Sequence, residues 1–242
     1  SRNSDHLLFN IWQMGTNSIE RGNTDSWTTM PAEIDRVDWR GSRRGTREDW
    51  ERILRDPSDR DPRGFVIPAD QRDFLTATKF VNALLYNGVD VHRASSAFAV
   101  AGTRYPAGSY VVKAAQAFRP LVLDMFEKQQ HPNDFAYPGA PPTAPYDNTG
   151  WTLAWQMDVE FDRIIDGFDG PFEPIEDIIS TPPQGTIGGV SNARGYIVDH
   201  INDAFTAVNR VLAAGDDAYW YMSEISADGQ SYQAGAFYLE TD

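Results

Sequence analysis

The sequence predicts an α/β fold in which a central, mostly parallel sheet carries helices on its faces. Three observations predict it. Short apolar runs bounded by turn residues alternate with longer segments of helical period, the first marking buried strands and the second amphipathic helices. One stretch of the chain is repeated without a gap. Finally, 242 residues of which 41% are hydrophobic and 12% aromatic can bury a substantial core without disulfides.

The elements follow in order. Residues 5–20 read as an amphipathic helix, with Ser4 or Asp5 as N-cap, Leu8, Ile11 and Trp12 on its apolar side and Gly22 near its end. Residues 23–63 are polar and rich in Arg and Asp, with one short helical piece at 47–54. Gly64–Pro68 is a short apolar run and reads as a buried strand. From Asp70 to Tyr86, Phe74, Ala77, Val81 and Leu84 recur at helical spacing, and Asn87-Gly88 closes the helix. Residues 89–93 and 108–112 read as strands and 118–128 as a helix. The Pro-rich passage 129–150 reads as a long loop or linker, and 151–194 as packed but irregular. Strand 195–198, helix 202–214 closed by Gly215, and strands 218–222 and 236–239 complete the chain. Residues 1–63 thus form an N-terminal helical and polar segment, and 64–242 the α/β domain.

Shifting residues 82–113 by 127 positions lays them on 209–240 without a gap. The identities are Asn82/Asn209, Leu85/Leu212, Gly88/Gly215, Asp90/Asp217, Ser96/Ser223, Gly102/Gly229, Tyr105/Tyr232, Ala107/Ala234 and Gly108/Gly235. Ordinary residue frequencies supply roughly two such matches. Gly88 and Gly215 stand where helices close in left-handed backbone, and Gly108 and Gly235 precede the last strand of each unit. Each unit reads as strand–helix–strand–loop–strand, the parts of a layered α/β sheet.

Composition removes several function classes. The net charge of −14 argues against nucleic acid or an anionic membrane as partner, because phosphate binding needs a basic surface. With no cysteine there is no disulfide, thiolate zinc site, iron–sulfur cluster or cysteine nucleophile. No run of 18 apolar residues exists to span a bilayer. The start, Ser1-Arg2-Asn3-Ser4-Asp5, is not a signal peptide and reads as a cut end.

No self-contained catalytic set emerges, so no residue is assigned a catalytic, cofactor-binding or metal role. His6, His92, His131 and His200 are scattered, and the nearest approaches to ligand spacing, His131 with Asp134 and His200 with Asp203, read as capping or surface pairs. Gly188-Gly189-Val190-Ser191-Asn192-Ala193 resembles a nucleophile elbow around Ser191, but a strand follows it where an elbow needs a helix. Tyr219-Trp220-Tyr221 reads as sheet packing, and Glu173, Glu176 and Asp177 as a solvated surface.

Several segments taken together resemble one family. Gly64-Phe65-Val66-Ile67-Pro68-Ala69-Asp70-Gln71-Arg72-Asp73, Asn87-Gly88-Val89-Asp90-Val91-His92-Arg93-Ala94 and Tyr105-Pro106-Ala107-Gly108-Ser109-Tyr110-Val111-Val112 are similar to the region after the catalytic domain of large bacterial zinc carboxypeptidases of the carboxypeptidase A type. So are Pro145–Leu153, His200 through Leu212, and Asn17–Gly22 with Asp25-Ser26-Trp27. The resemblance spans most of residues 5–240. It implies a class I glutamine-amidotransferase-like, flavodoxin-like fold, although without cysteine the amidotransferase chemistry is excluded. It further implies that residues 1–63 are the tail of an upstream peptidase domain holding a His-x-x-Glu motif and the zinc, and that the protein is secreted or periplasmic.

On this reading the chain is a non-catalytic accessory region with a structural or a substrate- or partner-binding role. Zinc is expected only upstream, and this chain is expected to hold no cofactor of its own. Two other readings stand beside it. One is a stand-alone small-ligand or glycan-binding module using Trp151, Trp155 and Tyr219–Tyr221; the other is a serine hydrolase built on Ser191. The apolar positions Leu7, Leu8, Ile11 and Met14 of the first helix need a partner surface, which the peptidase domain, the α/β body or a second copy would supply.

Overall fold

The computed structural model describes residues 3–37, 46–132, 134–146, 150–188 and 193–240. Two compact units form, one from Ser1–Asp70 with Lys79–Ser180 and one from Gln71–Thr78 with Thr181–Asp242. In chain order the first holds α1 (Ser4–Gly22), α2 (Pro31–Arg36), α3 (Arg47–Leu54), β1 (Gly64–Ile67), all but the first turn of α4 (Phe74–Tyr86), β2 (His92–Ala94), a hairpin of β3 (Phe98–Val100) and β4 (Thr103–Tyr105), β5 (Tyr110–Lys113), α5 (Arg119–Phe126), α6 (Leu153–Gln156), β6 (Asp162–Ile164) and β7 (Phe172–Pro174). The second holds β8 (Gly195–Val198), α7 (Ala204–Ala214), β9 (Ala218–Trp220), a hairpin of β10 (Ile225–Ala227) and β11 (Gln230–Tyr232), and β12 (Phe237–Glu240).

The sheets correct the expected fold class. Five of the first unit's strands form one sheet in the order β6-β1-β5-β2-β7, and every neighbouring pair is antiparallel. The fold is therefore not a mostly parallel, flavodoxin-like or amidotransferase-like sheet. The physical reason lies in β5. β1 and β2 do run in the same direction, as a strand–helix–strand unit requires. They are not neighbours, because β5 inserts between them and pairs antiparallel with both, Ile67 opposite Tyr110 and His92 opposite Val111. Helical period and strand alternation report direction along the chain and carry no record of which strand fills the gap.

Local chemistry accounts for the shifted boundaries. α4 begins at Phe74 because Asp73 caps it, its carboxylate accepting from the Thr76 amide at 3.0 Å and the Thr76 hydroxyl at 2.8 Å. β2 begins three residues late because the Gln116 side-chain amide occupies the ladder positions of Asp90, accepting from its N–H at 2.8 Å and donating to its carbonyl at 3.1 Å. The passage 151–194 contains α6, β6 and β7, three-residue strands too short for periodicity to register.

The first core has two layers. Phe65 stacks on Phe126 with ring centroids 4.2 Å apart, and Phe80 meets Phe126 edge-on at 5.1 Å, so α4 and α5 cover one sheet face. Val66 and Val111 bury the other face beneath Phe98, Tyr105, Ile164, Phe168 and Phe172. In the second unit Ala204, Phe237 and Leu239 form the core beneath α7, with Val198, Val208 and Val211 packed on it.

The second unit repeats the three central strands and the hairpin of the first. Its order β8-β12-β9 matches β1-β5-β2, again antiparallel throughout, and its hairpin sits 127 residues after the first. The left-handed positions keep the same offset: Gly88 and Gly215, Ala101 and Asp228, Gly102 and Gly229, Gly108 and Gly235. Gly108 donates its N–H to Ala94 O at 2.7 Å and Gly235 to Tyr221 O at 2.8 Å.

Gly108 and Gly235 separate two effects. At Gly108 (φ +88°) an added Cβ would meet only Ala69 Cβ, at 3.7 Å, whereas at Gly235 (φ +97°) it would lie 2.6 Å from His200 Nδ1. Gly108→Ala is expected to cost about 1–2 kcal/mol from the left-handed backbone alone, and Gly235→Ala distinctly more because the His200 ring must move. Urea denaturation of both variants checks the order; equal losses would show that the close approach at Gly235 carries no energy.

Candidate functional site

A carboxylate buried just before β1 organises one side of the first unit. Asp61 is 6% exposed and receives four donors: Ser26 Oγ at 2.9 Å, the Thr28 amide at 2.8 Å, Thr28 Oγ1 at 3.1 Å and Arg119 Nη2 at 2.7 Å. Burial alone would push its pKa up. The hydrogen bonds from Ser26, Arg119 and Thr28, with the charge of Arg119, outweigh burial and hold the carboxyl below its ordinary value. A second chain of pairs continues outward: Arg63 and Arg60 reach Asp25 at 3.0 and 2.9 Å, Arg60 also reaches Asp166, and Arg163 joins the Arg60 carbonyl at 2.7 Å to Glu127 at 2.8 Å.

The Glu127–Arg163 pair is a wall between two clefts. On one side a cleft of about 540 Å³ runs past Arg21, Asp61, Arg119 and Gln129. On the other an open cleft of about 670 Å³ lies over Phe126 and Phe161, edged by Trp155 and four carboxylates, Glu127, Asp158, Glu160 and Asp162. Lys128 and Arg163 are its basic residues, and Arg163 is already paired. Two left-handed residues shape the rim: Thr152 (φ +48°) turns the chain into α6, and Asp158 (φ +55°) turns it out again. This leaves the Trp155 indole 62% exposed while Ala154 beside it is fully buried. Asp162 accepts from the buried Tyr105 hydroxyl at 2.7 Å, and burial, then that bond, push the Tyr105 phenol far above its ordinary pKa.

The aromatic residues singled out in the sequence therefore separate. Trp155 lines the open cleft, whereas Trp151 is only half exposed and does not line it. Tyr219 shares one face of the second sheet with Tyr238 and Ile197, while Trp220 pairs with Phe237 on the other. The histidines are dispersed: His6 bonds Asn10, His131 bonds the Pro132 carbonyl, and His200 bonds the Gly235 carbonyl at 3.1 Å and packs on Phe205 and Phe237. Burial, then the nearby Lys113 charge, lower the pKa of His92. Neither His131 with Asp134 nor His200 with Asp203 forms a ligand set, and among the described residues no group of three His, Asp or Glu could hold a metal ion. Glu173, Glu176 and Asp177 are exposed. Ser191 lies outside the described residues. Sequence spacing gave no sign of Asp61, Arg119, Glu127 and Arg163, whose side-chain partners lie 33 to 103 residues away.

The first helix offers a second candidate surface. Gly15 and Gly22 bring α1 against the segment 114–117 that joins β5 to α5, where a Cβ on Gly22 would lie 2.3 Å from Ala114 O. Its first three turns have no such cover: Leu8 is 65%, Ile11 66%, Trp12 63% and Met14 69% exposed. The expected packing of α1 is thus confined to its second half. No helix among the described residues is long and apolar enough to cross a membrane. Compared with known protein families, curated proteins and solved structures, the chain shows no match.

Asp61→Asn is expected to cost about 3–5 kcal/mol, because Arg119 (4% exposed) would keep its charge in a buried site without its partner. The sign in pH follows from the lowered pKa. The native carboxylate contributes stability above the unfolded value near 3.8, and that contribution is lost as pH falls through the lower folded value. Urea midpoints measured from pH 7 down to pH 2.5 should show this acid limb in the native chain and a shallower one in Asp61→Asn.

Proposed function

We propose that this chain is a non-catalytic accessory region of a zinc metallocarboxypeptidase-like protein, and that its role is to pack against and support the peptidase domain. The observation that carries this reading is α1. An amphipathic helix is stabilised mainly by burying its apolar stripe, yet Leu7, Leu8, Ile11, Trp12 and Met14 of α1 stand in solvent. Such a contiguous apolar strip marks a surface that another domain covers. In the proteins this chain resembles, the peptidase domain precedes this region, next to α1. The segments that carry the resemblance also include β1, β2 and β5, the strands that set the first sheet.

A second reading, a small-ligand or glycan-binding module, draws on the Trp155 cleft. An exposed indole beside an excess of carboxylates suits a sugar ring stacked on the indole and held through its hydroxyls, or a peptide amine held by charge and cation–π attraction.

Two measurements test these readings. The chain with zinc should not hydrolyse a hippuryl-type peptide. Hydrogen exchange of residues 7–14 should slow when the chain is joined to the polypeptide encoded upstream of it; hydrolysis by the chain, or unchanged exchange, would overturn the accessory role. For the cleft, titration with lysine-containing peptides and with neutral oligosaccharides should find one class that binds, with Trp155→Ala weakening it roughly 3- to 30-fold. Salt weakens a charged ligand and spares a sugar.

A further inference from the structure

The cleft of about 540 Å³ on the Arg119 side of the Glu127–Arg163 wall serves neither reading above. Its volume lies within the range of small-molecule sites. Met30, Pro120 and Leu123 make part of its lining apolar, and charged groups make most of the rest.

The carboxylates of that lining already hold donors. Asp61 has Ser26, Thr28 and Arg119. Glu33 accepts from the Met30 amide at 3.0 Å, Asp59 from Arg36 at 3.2 Å, Asp124 from the Gln129 side-chain amide at 3.3 Å and Glu127 from Arg163 Nε at 2.8 Å. The guanidinium groups are less completely matched. Arg119 commits Nη2 to Asp61 and Ser26, at 2.7 and 3.2 Å, yet among the described residues nothing accepts from its Nη1 or from its buried Nε. Arg163 commits Nε and Nη2 to Glu127 and the Arg60 carbonyl, and its Nη1 likewise meets no acceptor among the described residues. Arg119 is 4% exposed, so its unmatched N–H groups carry a desolvation cost that an acceptor entering the cleft would relieve.

This imbalance selects the ligand. Unmatched guanidinium N–H groups favour an anionic acceptor, and a planar carboxylate fits their fork. The acids of the lining and the net charge of −14 limit how much negative charge can enter. A doubly charged phosphate would meet about twice the repulsion that a singly charged carboxylate does. Met30, Pro120 and Leu123 call for an aliphatic body behind that carboxylate. We propose that this cleft is a binding site for a small aliphatic monocarboxylate, with its carboxylate on Arg119 and Arg163 and its hydrocarbon chain against Met30, Pro120 and Leu123.

The test titrates the full chain, ¹⁵N-labelled at arginine and tryptophan side chains, with octanoate, hexanoate, acetate, octanamide and inorganic phosphate. Octanoate should bind saturably and shift the Arg119 Nε–H signal while leaving the Trp155 indole signal in place, which separates this site from the cleft across the wall. Hexanoate should bind roughly tenfold more weakly than octanoate, because two fewer methylenes are buried. Octanamide and acetate should bind at least tenfold more weakly than octanoate, and phosphate should not displace it. Leu123→Gln should weaken octanoate at least threefold and leave acetate unchanged; thermal unfolding of that variant checks that it folds, and the ligand series on the native chain decides the matter without it. Equal binding of octanoate and octanamide, acetate or phosphate binding as tightly as octanoate (an adventitious ion only), or an Arg119 signal unmoved at saturation would overturn the proposal.

Discussion

The insertion of β5 between β1 and β2 is the constraint on which the first unit depends. A strand buried on both faces and hydrogen-bonded on both sides has no freedom of register, because a slip of one residue would turn Val111 and Val112 to opposite faces. Once β5 is seated, the outward edges of β1 and β2 are the only ones left in the sheet. β6 and β7 take them, with Gly64 opposite Ile164 and Ala94 opposite Phe172. The chain between those two strands then has to pass across the sheet, and Phe168 closes the face as it does so. The same insertion recurs in β12, so one topological device built twice accounts for most of the regular structure.

The polar network around Asp61 solves a different problem. Residues 25–37 and 46–63 are rich in Arg and Asp and bury few apolar side chains, Val37 and Ile53 among them, so charge and hydrogen bonding to β6 and α5 do much of the holding. Exposed ion pairs such as Arg36–Asp59 contribute little. The buried pair of Asp61 and Arg119 differs because each group has lost its water and has only the other, with Ser26 and Thr28, to replace it. Glu127 and Arg163 extend that scaffold to the surface, and the clefts on either side follow from where this pair stands.

The duplication also separates what both copies share from what each has alone. Where the two copies agree, in the helix closures, the left-handed turns and the strand order, the residues serve folding. Where they differ, equivalent backbone positions carry different side chains. Lys113 against Glu240 and His92 against Tyr219 are such places: Lys113 lies over the Phe168 and Phe172 rings, whereas Asp217 and Glu240 stand beside Tyr219. The proposed accessory role draws on α1 and the proposed ligand site on the Trp155 cleft, so the two readings rest on different residues.

Much of the fold was legible in the sequence because it is written in local chemistry. Apolar spacing marked α1, α4 and α7; the turn-bounded apolar runs marked β1 and β5; and the paired glycines marked the left-handed positions of both copies, since a backbone at φ near +90° excludes most side chains whatever surrounds it. Trp155 was legible as a candidate and no more, because its exposure rests on the turns at Thr152 and Asp158. Strand neighbours, the covering segment 162–174 and the Asp61 network were not legible. Each joins residues tens of positions apart, and no local preference records which partner is met. The sequence by itself determined the longer helices, the strands β1 and β5 and the glycine turns, through period, capping and backbone sterics, but not the three-residue strands; the tertiary structure alone decided that β5 would lie between β1 and β2, because pairing is settled by competition among all available edges once the chain has collapsed.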